Sequence, residues 1–74
     1  MMPFNPLEKL IIESMADFNL NTTDVANHLM YHRNSILYHL NKIKQFSGLD
    51  PRKFYDLVKL LELIKEETSN ENQT

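Results

Sequence analysis

Between Tyr31 and Gly48 the chain gathers side chains that donate hydrogen bonds or carry positive charge, and four of them are consecutive: His32-Arg33-Asn34-Ser35. An arginine presents a planar fork of donors that fits guanine O6 and N7, an asparagine matches the N6 and N7 edge of adenine, and a serine hydroxyl can donate to a phosphate. Tyr38, His39, Lys42 and Lys44 follow as candidates for contacts to a nucleic-acid backbone. Such chemistry requires that His32, Arg33, Asn34 and Ser35 open a helix whose N-terminal end enters a major groove. Other placements compete. Arg33 can cap carbonyls of the preceding turn or pair with Asp24, and Lys42 and Lys44, two residues apart, diverge around a helix. Tyr31 and Tyr38 can stack on bases, but aromatic residues at helix crossings are more often core, and the core is the favoured placement for both. His28 and His32 are four apart, yet a turn lies between them and no Glu follows His28, so no metal site is expected.

The rest of the composition narrows the class. A chain of 74 residues holds one domain, and it buries only about 60% of its unfolded surface. Cysteine is absent, which removes disulfides, thiolate metal sites and a cysteine nucleophile, and suits a reducing cytoplasm. No signal-peptide pattern and no apolar run near the roughly 18 residues of a membrane span occurs, so a cytoplasmic protein without membrane contact is expected. With one glycine, no phosphate-cradling loop and no strand-like alternation, the fold should be all-α. No Ser/His/Asp set stands out, and no catalytic residue, cofactor or small-molecule site is expected.

The net charge of −2 disfavours a nucleic-acid partner until its distribution is read. Residues 1–27 and 54–74 each carry −3, whereas residues 28–53 carry Arg33, Lys42, Lys44, Arg52 and Lys53 against Asp50 alone, a net +4, together with all three histidines.

Four helices would position these residues. Asn5-Pro6-Leu7-Glu8 starts the first, with an Asn cap, Pro at the first helical position and a Glu that reaches back. Leu7, Leu10, Ile11, Met15 and Phe18 form its apolar stripe. The second should begin at Thr22 or Thr23, either of which can cap it, and bury Val25, Ala26 and Leu29. Ala26 is small enough for a close helix crossing, and Tyr31 is the expected buried turn residue. The third runs from Arg33 to Phe46, turning Ile36, Leu37, Leu40 and Ile43 inward, and ends at Ser47-Gly48 through a left-handed glycine. For the fourth, Asp50 caps, Pro51 takes the first position and Leu49 closes on Phe54 as a hydrophobic staple. It should reach about Glu66 with Phe54, Leu57, Val58, Leu60, Leu61, Leu63 and Ile64 as a stripe broader than one neighbour needs.

Tyr31-His32-Arg33-Asn34-Ser35-Ile36-Leu37-Tyr38-His39-Leu40-Asn41-Lys42-Ile43, followed by Ser47-Gly48-Leu49-Asp50-Pro51, resembles the C-terminal helix-turn-helix domain of PucR-type regulators of purine and sugar-diacid catabolism, which is related in shape to the Fis-type helix-turn-helix. The likeness spans roughly residues 7–65. It implies the DNA-binding domain of a transcription regulator, of the kind usually preceded by a long sensing region. In that family the positions of Leu37 and His39 are typically arginines, and the turn position of Met30 is often small, commonly glycine in the Fis-type form. Losing two charge contacts would remove roughly two units from the salt slope of binding.

The expectation is therefore an all-α, four-helix helix-turn-helix domain over residues 1–67 with a disordered tail at 68–74. Residues 22–29 support a recognition helix at 33–46, and His32, Arg33, Asn34, Ser35, Tyr38, His39 and Lys42 contact double-stranded DNA. Pairing of two copies through the first or fourth helix would enlarge a small footprint. Either an excised domain or a short product would account for the length. The competing reading is a degenerate helix-turn-helix that serves as a helical protein–protein interaction module.

Overall fold

A computed structural model describes residues 4–72, with side chains described to Glu66. Four helices follow one another: α1 Pro6–Asp17, α2 Thr22–Leu29, α3 Arg33–Ser47 and α4 Phe54–Asn72. The described residues contain no strand, and no helix among them is long and apolar enough to cross a membrane. α1 packs closely against all three other helices and α2 against α3, while the backbone of α4 comes close to that of α1 alone.

The start of α1 is the reciprocal cap expected of Asn5 and Glu8. Glu8 N donates to Asn5 Oδ1 at 2.8 Å, and Asn5 N donates to Glu8 Oε1 at 3.0 Å. Its buried arc is wider than one stripe, because helices cover it on two sides. Ile12 is fully buried with Ile11 and Met15, whereas Leu10, assigned to the stripe, is 45% exposed at its edge. Burial of several such side chains, each stabilising by roughly 1.5–3 kcal/mol, ties the bundle to α1.

α1 ends in a Schellman motif. Leu20 N donates to Met15 O at 2.7 Å and Asn19 N to Ala16 O at 3.4 Å, with Asn19 left-handed at φ 54°. Neither Thr22 nor Thr23 caps α2. Asn21 does so, its extended backbone aiming Oδ1 at Asp24 N, 3.1 Å away.

The turn between α2 and α3 is a second Schellman motif, in which Tyr31 N donates to Ala26 O at 2.9 Å and Met30 N to Asn27 O at 3.3 Å. Met30 takes the left-handed position, φ 59°, where a glycine would be unstrained. Its side chain is 91% exposed. Tyr31 is not the buried turn residue. It remains 42% exposed, because the motif turns the chain outward before α3 begins and the crossing is filled by Val25, Ala26 and Ile36. α3 runs one residue beyond the expected Phe46 and stops at left-handed Gly48, φ 78°, whose N donates to Lys44 O.

Asp50 does not cap α4 directly. Its Oδ1 accepts from Arg52 N at 2.9 Å and its carbonyl from Lys53 N at 3.0 Å, so the chain completes one turn before α4 starts at Phe54. Pro51 therefore lies in this turn, buried, and not at the first helical position. Phe54, the expected partner of Leu49, is 61% exposed on the rim of a groove with α1. Asp50 N donates to Asp56 Oδ2 at 3.0 Å and holds the corner to the new helix. Leu57, Leu60 and Ile64 bury against α1. α4 continues to Asn72, six residues past Glu66. Of the tail expected from Thr68, the backbone to Asn72 is helical, and residues 73–74 lie outside the described part.

Candidate nucleic-acid interface

α3 carries Ile36, Leu40 and Ile43 on its buried side, and that phase determines what faces outward. The opposite row is Asn34, Tyr38, Asn41 and Gln45, with Ser35 and Lys42 beside it, and all six are exposed. Sequence reasoning does not single out Asn41 and Gln45 as contacts. Their signal is the i, i+4, i+7, i+11 spacing from Asn34, which becomes informative once the buried phase is fixed.

His32, Arg33, Asn34 and Ser35 come together at the N-terminal end of α3, and all are exposed. His32 is the N-cap but makes no side-chain capping bond, and the first turn of α3 holds no acid. The free N–H groups and positive dipole end of this helix are thus open to an anion. Arg33 makes no ion pair with Asp24 or with any other acid among the described residues. Five positions before Tyr38, it lies about 140° around the helix from that side chain, on the Leu37 side of the outward row, and owes its exposure to its place in the first turn.

Tyr38 is not core. It is 59% exposed, and Lys42 Nζ sits 5.6 Å from its ring centroid, a cation–π contact that steadies a flexible cation on the outward face. The reason lies in spacing: Tyr38 is two residues from both Ile36 and Leu40, and so points away from the face they bury. His39 stands apart from the row, half-buried beside Tyr38 at 5.3 Å between ring centroids, with Nδ1 buried and without a hydrogen-bond partner. Leu37 packs, half-buried, against the core.

The positive segment is smaller in space than in sequence. Asp50 draws Lys44 to 3.9 Å and Arg52 to 3.4 Å at the far end of α3. Burial alone would raise the Asp50 carboxyl, but the Arg52 amide and guanidinium, with Lys44, outweigh it and hold it below its ordinary value. On the rest of α3 the cations without an acid partner are Arg33 and Lys42. His28, at the end of α2, lies 4.9 Å from the Phe18 ring, and no three His, Cys, Asp or Glu residues gather into a metal-binding group among the described residues.

A short α2, a tight left-handed turn and a longer α3 with a polar outward row are the parts of a helix-turn-helix. Comparison with known proteins agrees with this geometry. The PucR C-terminal helix-turn-helix domain matches residues 11–63, from within α1 to within α4. Neither the curated proteins nor the solved structures provide a match. The matched span is more than half of the chain and includes both helices of the motif and the turn between them, so the chain belongs to the PucR C-terminal helix-turn-helix domain family, a type that is typically DNA-binding and regulatory.

Proposed function

We propose that this chain is the DNA-binding module of a transcription regulator and sets α3 into the major groove of a duplex. The observation that carries the reading is the outward row of α3, polar along its length and led by a helix N-terminus that its own chain leaves uncapped. Arg33 and Asn34 are the base-reading pair, for guanine and adenine respectively. Ser35, His32 and the free N–H groups of the first turn meet a phosphate. Lys42, steadied on Tyr38, meets the backbone further along, and His39 adds a flanking contact through its exposed edge. Asn41 and Gln45 extend the same row.

One such module covers few base pairs, so two copies on adjacent half-sites are its working form. The setting is the cytoplasm, with no role as an enzyme. A titration of binding to random duplex DNA against salt tests the reading. Log affinity should fall linearly with log salt. An absence of binding at low salt would overturn it.

A further inference from the structure

From the face of α4 turned away from α3 we infer that the chain pairs with a second copy of itself, two α4 helices lying antiparallel across the groove between α1 and α4. This rests on the proposed two-copy working form and names its surface. The groove has a volume of about 210 Å³ and is lined by Met15, Leu20, Phe54, Leu57, Val58 and Leu61 among others. Phe54 stands at its rim, and Tyr55 next to it is among the most exposed apolar residues of the chain. One patch therefore carries both a hollow and the aromatic side chains to fill it, which a two-fold interface requires of a single surface.

Charge selects the occupant and its direction. Arg52 and Lys53 lie where α4 begins, and Asp56, Lys59, Glu62, Lys65 and Glu66 follow along it with alternating sign. A parallel copy would set like charges together. An antiparallel copy centred near Val58 sets Lys53 against the second copy's Glu62 and Lys59 against its Asp56, on both sides of the axis. The position in the fold also permits it: the backbone of α4 comes close to that of α1 alone, so pairing through the outer side of α4 leaves the outward row of α3 uncovered in both copies.

Sedimentation of the full chain without DNA, from about 5 to 500 μM, should show a monomer–dimer equilibrium. Phe54→Glu places an acid in the first turn of α4, where the dipole favours it, and should weaken the dimer by at least about tenfold with the helical circular dichroism unchanged. Lys53→Glu and Glu62→Lys should each weaken it by about threefold, and together restore it. A chain that stays monomeric throughout overturns the pairing, as does a dimer indifferent to Phe54→Glu. Charge reversals that fail to rescue each other overturn the antiparallel arrangement. Monomer that captures an apolar dye in the groove assigns the hollow to a different occupant and equally overturns it. The monomeric Phe54→Glu variant is then titrated with random duplex at low salt. A retained salt slope keeps the DNA reading whatever the fate of the dimer, and a lost slope removes that reading separately.

Discussion

Lys42→Ala tests the groove reading through a number set by the ion pairs. Of the five cations between residues 28 and 53, Asp50 engages Lys44 and Arg52 at the far end of α3, and Lys53 stands at the start of α4. On random duplex DNA, where Arg33 meets no preferred guanine and falls back on the backbone, it and Lys42 remain to neutralise phosphates. Two such contacts predict a slope of log affinity against log salt of about −1.8 per protomer, since each contributes about −0.9. Between 50 and 200 mM salt the affinity should then fall about 12-fold. Removing Lys42 should bring the slope to about −0.9 and the fall to about 3.5-fold over the same range. Its contact with Tyr38 is exposed and contributes only about 0.5–1 kcal/mol, so the variant stays folded, as its circular dichroism should show. Fluorescence anisotropy at four or five salt concentrations measures both slopes. A slope of about −4.5 for the parent chain would mean that Lys44, Arg52 and Lys53 also lie against phosphates and that Asp50 does not withhold them. An unchanged slope after Lys42→Ala would refute the placement of that face in the groove.

Arg33→Ala should reduce binding to a specific site by about 5- to 150-fold and relax the base preference at one position, with stability within about 0.5 kcal/mol of the parent chain. Selection from a randomised duplex pool, alongside a thermal melt, checks both, and a comparable loss of folding would contradict the exposed placement of Arg33. Met30→Gly removes a left-handed side chain that is exposed and packs on nothing, and should stabilise the domain by about 0.5–1 kcal/mol, a rise of several degrees in Tm by calorimetry. The Asp50 carboxylate is held below its unfolded value, so the stability it contributes is present in full above about pH 4 and is lost as pH falls through the lower folded value. Urea melts from pH 6 to pH 2 should show this acid loss for the parent chain and a flatter profile for Asp50→Asn.

Local signals were the legible ones. Asn5, Pro6 and Glu8 announce a helix start because all the partners in that cap lie within four residues, and Gly48 announces a helix end because its left-handed backbone is its own property. Met30 adopts the same conformation without any such preference. The closing bonds to Ala26 and Asn27 impose it, and no scale of residue propensity contains them. The candidate site was legible to the same degree: His32, Arg33, Asn34 and Ser35 stand together as a consecutive run must, and Tyr38 and Lys42 share a face through their spacing. Which aromatic residues were core was not legible. Tyr31 and Tyr38 are apolar enough for either side, and the registry of α2 on α3, set by Ala26 and Ile36, turned them outward. Asp50 misled for a related reason. An Asp ahead of a Pro has the pattern of a helix cap, but here the carboxylate closed a turn on Arg52 before the helix began.

Among the described residues the backbones of α3 and α4 do not approach each other closely, which has a consequence for how the two surfaces can change. A substitution on the solvent side of α4 reaches α3 through the core that both share with α1 or through the corner at Asp50. Variation in how copies associate can therefore accumulate without altering which bases are read, and the reverse is also true. α1 is the shared constraint, and Ile11, Ile12 and Met15 are the positions where drift on either surface would be felt by the other.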